Sequence, residues 1–160
     1  MIVRPYGVVL RGRLELGLEL LMYGSDVVEI RPHTGIPEPY VVSPAFVNAH
    51  SHFEYLGLQN EIQAEEYWPW IRELTQRKMD QTLPEVRSDC IRAAEENRAA
   101  GIAVVAEHSD RPFAGEAMAR AGLSGVIFQE VITFFEREAR EAKLSKVGDA
   151  ALENRQFFPS

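Results

Sequence analysis

An α/β fold, in which parallel strand-helix units follow a short antiparallel β segment, is what this sequence predicts. Three observations carry the prediction. An apolar run from Val41 to Ala49 ends on His50-Ser51-His52. From Pro44 onward, strand-like apolar runs alternate with stretches of helical periodicity, the rhythm of parallel βα units rather than of a sandwich. Before Pro44, short β-prone stretches are separated by glycines and prolines.

Residues 1–43 form the first part. Gly7–Leu10, Leu14 through Tyr23, and Asp26–Ile30 read as strands, broken by glycines and by Pro32, Pro37 and Pro39. They make either a small sheet with its own identity or an edge sheet of the following part. Residues 44–160 form the second part, whose first strand ends at His52. A helix covers Pro69 to Met79, because proline presets φ for a first turn and Trp70, Ile71 and Leu74 recur at helical spacing. Thr82-Leu83-Pro84-Glu85 is a capping box that opens a second helix, which runs to Ala100 and stops at Gly101. The second strand is Ile102–Glu107. Ser109-Asp110 then caps a helix running through Ala121 and ended by Gly122. A third strand spans Ser124 to Val131, a charged helix covers Glu136 to Glu153, and Phe157-Phe158-Pro159-Ser160 reads as the opening of a fourth strand.

Composition narrows the function classes. The 160 residues are 46% hydrophobic, enough for one globular core, with no low-complexity tract. A formal charge of −7, with acids and bases mixed along the chain, argues against a nucleic-acid surface. No apolar stretch approaches membrane-spanning length and the N-terminus lacks the layout of a signal peptide, so a cytoplasmic, membrane-free protein is expected. Cys90 is the only cysteine, which excludes an internal disulfide and a thiolate zinc cage. His52-Phe53-Glu54 matches half of the cytidine-deaminase zinc signature, but that chemistry needs a Pro-Cys-x-x-Cys partner, absent here.

The chemistry concentrates at His50 and His52. Residues two apart on a strand point to one side, so both imidazoles project together, with Phe46 and Asn48 beneath them on the same face. Neutral imidazoles held on a rigid strand are competent metal ligands. A bare His-x-His is also compatible with a purely structural pair.

The flanking residues add a resemblance. PAFVNAHSHFEYLGL is similar to the metal-binding strand of the amidohydrolase superfamily, with Ala45 in place of the usual glycine and Ser51 in place of threonine. WPWIRELTQRK, GIAVVAEHSD and GVIFQEVI fall where the deaminase and chlorohydrolase branch has its tryptophan-containing helix and its second and third barrel strands. The resemblance implies the N-terminal portion of a TIM (β/α)8 barrel, about three βα units, since a whole barrel takes about 250 residues. An open sheet would leave an unpaired edge and a half-covered apolar face, relieved by further strands or by a homo-oligomer. The implied activity is hydrolytic deamination of a nitrogen heterocycle, a small-molecule substrate, by water activated on a divalent metal, Zn2+ foremost and Fe2+ second. The alternative is a catalytically inactive, truncated or degenerate relative that serves as a binding or assembly module. The family's further ligands, a histidine on strand five, often another on strand six, and an aspartate on strand eight, have no counterpart here.

Other candidates surround the pair. Glu54 either orients a ligand histidine or is a surface acid past the strand. Glu130, a carboxylate near the end of an apolar strand, needs a partner or a pocket to face. These two are the candidate catalytic acids. His108 either reaches the strand ends to touch substrate or caps the turn with Ser109 and Asp110. Trp70, and with it Trp68, either walls a pocket for a flat ring or packs in the core. His33, in a proline-rich turn, is a solvated residue.

Overall fold

The computed structural model describes residues 1–131 and 140–157. Two compact units divide the chain, Met1–Ala45 and Phe46–Ser160.

The first unit holds β1 (Ile2–Val3), β2 (Pro5–Leu10), β3 (Arg13–Leu16), β4 (Leu18–Tyr23), β5 (Asp26–Pro32) and β6 (Glu38–Val42). They form two three-stranded sheets, ordered β1-β4-β5 and β3-β2-β6. Arg11 (φ 51°) and Gly12 (φ 77°) supply the two positive-φ positions that a two-residue hairpin turn between β2 and β3 requires. The segment is not purely antiparallel, because β6 runs parallel to β2. Tight hairpins force antiparallel pairing, whereas the connection after β5 is long enough to bring β6 in along the direction of β2. Val8 and Leu20 are buried here beside Glu19, whose carboxylate accepts hydrogen bonds from Arg31 Nε (2.8 Å), Thr34 Oγ1 (2.9 Å) and Arg4 Nε (3.0 Å).

The second unit begins where Ser43-Pro44-Ala45 interrupts the apolar run, so its first strand is β7 (Phe46–Ser51). Proline offers no N–H to a ladder, which accounts for the break. A 3-10 turn (Phe53–Leu58), α1 (Tyr67–Asp80), α2 (Leu83–Ala99), β8 (Ile102–Ser109), α3 (Ala114–Ala121), β9 (Ser124–Gln129) and α4 (Arg140–Phe157) follow. The three strands form one parallel sheet in the order β7-β8-β9. Among the described residues it stays open and closes no barrel.

The core lies between this sheet and helices α2 and α3. Val86, Cys90, Ala93 and Ala94 recur at helical spacing on α2 and meet Val105, Ala117, Met118 and Leu123. The capping box forms as expected, with Thr82 N–H and Oγ1 donating to Glu85 at 2.8 and 2.7 Å. Gly122 ends α3 in the left-handed region at φ 66°. On the other side of the sheet, Val47, Val104, Val126 and Phe128 are exposed.

Several boundaries differ from expectation for identifiable reasons. β8 continues to Ser109, whose Oγ accepts the Arg111 N–H at 3.0 Å, so Ser109-Asp110 does not cap a helix. The N-terminal end of α3 is served from across the fold, where Asn154 Oδ1 accepts the Gly115 N–H at 2.8 Å. β9 ends at Gln129, leaving Glu130 and Val131 beyond the strand. Phe157 is the last residue of α4 and opens no strand, while Phe158, Pro159 and Ser160 lie outside the described residues. The expected helix start at Glu136 and most of the acidic stretch up to Glu141 also lie outside them.

Candidate metal centre

The pairing of β7 with β8 shifts register between Asn48 and Ser51. Asn48 pairs with Val105 on the helix side, and its Nδ2 donates to Asn97 Oδ1 of α2 at 3.0 Å. The His50 ring instead packs on His108, centroids 4.2 Å apart. The expected single face shared by Asn48 and His50 is therefore broken by the irregularity. Beyond it the two histidines converge. His50 Nε2 and His52 Nε2 lie 3.2 Å apart, with their rings at 70°.

At that separation the two rings share a hydrogen bond, and the same spacing also matches a shared cation. Two imidazole nitrogens at Zn–N distances of about 2.05 Å in a tetrahedral shell stand roughly 3.3 Å from each other. His50 is exposed and offers an open approach, whereas the His52 side chain is half-buried. Burial holds His52 below the usual histidine pKa, against the opposing pull of Glu130 and Glu54, and so favours the neutral, ligand-competent ring. His52 Nδ1 faces Glu130 Oε2 at 3.9 Å, and its ring stacks on Tyr55 at 4.9 Å. Among the described residues, no group of three or more His, Cys, Asp or Glu side chains is arranged to hold an ion, so the pair offers two positions of a shell.

The other sequence candidates fall around this point. Glu130 follows β9, where its N–H donates to Ser109 O at 2.9 Å. His108 stacks between His50 and Phe128, whose ring centroid is 4.8 Å away. Trp70 lines a cavity of about 680 Å³ together with Ser51, His52, Tyr55 and Leu74. Trp68 is 63% exposed and packs edge-on against Tyr67, so it belongs to neither core nor cavity. Glu54 is not a surface acid. It is fully buried, and its Oε1 accepts from Lys78 Nζ at 3.1 Å. His33 accepts the Gly35 N–H in the turn after β5. Cys90 is buried in the core, and burial raises its thiol pKa strongly.

Two functional neighbours escaped the sequence reading. Lys78 sits on α1 between Glu54 and Asp110 (3.0 Å), with Tyr55 Oη at 3.4 Å. Glu107, inside β8, is fully buried and accepts the Phe53 N–H at 2.6 Å, which fixes the turn after His52. Burial pushes its carboxyl up to about 8, despite the hydrogen bonds from Phe53 and Ser51. A carboxylate within Val104-Val105-Ala106-Glu107 is the same signal that singled out Glu130, and it marks Glu107 equally well.

With this geometry in hand, comparison with known proteins defines the fold. No protein-family model matches the sequence, and no curated protein is similar to it in sequence. Solved structures similar to the chain include amidohydrolases. An amidohydrolase from Brucella melitensis superposes with a TM-score of 0.62 at 16% identity, over 97% of this chain and 43% of its own. One from an environmental sample of the Sargasso Sea gives 0.56 and 16%, over 94% and 41%. An aminofutalosine deaminase of Helicobacter pylori, solved with methylthio-coformycin, gives 0.59 and 17%, over 92% and 40%. The chain thus has a fold found in amidohydrolases and spans about two fifths of the length of these structures.

Proposed function

We propose that this chain is the N-terminal part of a metal-dependent amidohydrolase-type enzyme that deaminates a nitrogen heterocycle. On this reading β7, β8 and β9 are the first three strands of a (β/α)8 barrel, and the exposed Val104, Val126 and Phe128 face its interior. The observation that carries the reading is the 3.2 Å approach of His50 Nε2 to His52 Nε2 at the C-terminal end of a parallel strand, where barrels place their chemistry. The amidohydrolase fold of the chain, shared with a deaminase, supports it.

His50 and His52 would hold a divalent cation, Zn2+ or Fe2+, which supplies a water of lowered pKa and polarises the electrophilic carbon. Glu130 faces the Nδ1 side of His52, from where its carboxylate orients the ring and can take up a proton close to the reacting centre. His108, against the His50 ring, and Trp70, on the cavity wall, contact a flat substrate ring. Glu54 is committed to Lys78 and positions the turn after the histidines rather than exchanging protons with substrate. In balance, water adds to the amino-bearing carbon, a proton moves to the amine, and ammonia leaves as the carbonyl forms. No described helix is long and apolar enough to cross a membrane, and we assign the enzyme to the cytoplasm. The exposed apolar sheet face favours a second reading, an inactive module whose partner covers that face.

The test pairs metal content with turnover. After dialysis against Zn2+, wild type should retain metal and H50A/H52A should lose it. Ammonia release from an aminopurine, cytosine and aminotriazine panel by the gene product should depend on the same pair. Metal retained equally by the double variant, with no ammonia released by wild type, would overturn the reading.

A further inference from the structure

A second cavity, of about 600 Å³, lies on the other side of Tyr55, between α1, the loop after β8 and α4. Among the described residues, five cationic side chains line it, Arg72, Lys78, Arg111, Lys143 and Lys146, against the two carboxylates of Asp110 and Glu130. Setting aside Lys143, which has an interaction of its own, the four other lining cations among the described residues exceed Asp110, Glu130 and the buried Glu54 by one positive charge, in a chain whose net charge is −7. Concentrating cations in one concave wall of an acidic protein creates a local field that attracts anions. Lys78 is neutralised by Glu54 and Asp110. Arg111 is only 11% exposed, with Nη2 donating to Lys78 O and Nε lying 3.3 Å from Asp110. Arg72 and Lys146 are exposed at the cavity and have no ionic partner among the described residues. Met79, Val131 and Val147 complete an amphipathic wall.

The cavity adjoins the histidine pair through two shared residues. Tyr55 lines both cavities and stacks on His52, and Glu130 lines this one while facing His52 Nδ1. We propose that this cavity binds an oxyanion, a carboxylate or phosphate, borne by the molecule on which the histidine pair acts. The oxyanion site stands on the cavity alone. Its assignment to the substrate of the histidine pair rests on the function proposed above. Arg72 and Lys146 recruit the anion, and Arg111, held rigid by its surroundings, presents planar donors to it.

Titration of the chain with inorganic phosphate and, separately, with benzoate at constant ionic strength tests the site, read by amide NMR shifts. Saturable shifts are expected at Arg111, Val131 and Lys146, and the tighter probe identifies the oxyanion. The R72Q/K146Q variant should bind about tenfold more weakly, with unchanged thermal stability because neither side chain is paired. R13Q/R98Q, which changes the net charge equally at residues that do not line the cavity, should bind as wild type does. H50A/H52A should also keep its anion affinity, so failure of the metal reading leaves this result standing. The proposal is overturned by unsaturable shifts, by equal weakening in R72Q/K146Q and R13Q/R98Q, by unchanged binding in R72Q/K146Q, or by loss of binding in H50A/H52A.

Discussion

Replacing Lys78 by methionine removes the cation from a buried cluster while keeping most of the side-chain volume. Its Nζ lies 3.1 Å from Glu54 Oε1 and 3.0 Å from Asp110 Oδ1, with the Lys78 side chain 9% exposed and Glu54 fully buried. Burial pulls the Lys78 pKa down, but Glu54 and Asp110 outweigh it and leave the ammonium raised above its usual range. At an effective dielectric of about 20, each contact contributes roughly 5 kcal/mol of attraction. Desolvation of the ions costs several kcal/mol apiece, so the intact cluster is close to neutral for stability. The single variant is different, because it strands a buried carboxylate. K78M should therefore lose about 3–5 kcal/mol, while K78M combined with E54L should recover most of it. Urea unfolding of the four proteins of this cycle, followed by circular dichroism, measures the coupling. A loss below about 1 kcal/mol in K78M, the range of an exposed pair, would refute the reasoning, as would an E54L background that rescues nothing.

Glu107 sets a pH dependence. Its folded carboxyl titrates near 8 rather than near 4.5, so the native state holds a proton that the unfolded chain releases, and stability falls as pH rises from about 4.5 to about 8. E107Q should remove that pH-dependent loss, about 5 kcal/mol across the window, in chelator-treated protein and be the more stable form at pH 8, as denaturant midpoints across the window will show. Gly125, at φ 141° in β9, has no room for a side chain, because a Cβ there would fall on the Val105 carbonyl. G125A should lose about 3 kcal/mol or more, read as a lowered urea midpoint. Removing the capping hydroxyl in T82A should lower thermal stability by about 1 kcal/mol, seen by calorimetry.

Local signals carried much of the fold. The periodicity of α2, its capping box at Thr82 and Glu85, Gly122, and the apolar runs of β8 and β9 each specify a short segment through contacts within that segment. What escaped depends on residues far apart in sequence. Asn154 serves the start of α3 from 39 residues away, and Lys78 meets Glu54 from a different element, so no spacing rule reveals either. The parallel entry of β6 beside β2 is decided by the path of a connection, which residue types leave open. At the candidate site the pairing of His50 with His52 was legible from their spacing, although His52 falls just past the end of β7, as the cap of the 3-10 turn, rather than on the strand as expected. The separation of Asn48 from His50 was not, because the register shift depends on how β7 meets β8. Glu54 read equally well as a surface acid until Lys78 was placed against it.

Long-range ¹H–¹⁵N correlation spectra of the imidazole rings during a Zn2+ titration interrogate the proposed centre most directly. The account predicts that the Nε2 resonances of His50 and His52 move together and saturate at one equivalent per chain, with His33 unaffected. Independent shifts of the two rings, or saturation that persists at His52 once His50 is alanine, would contradict it.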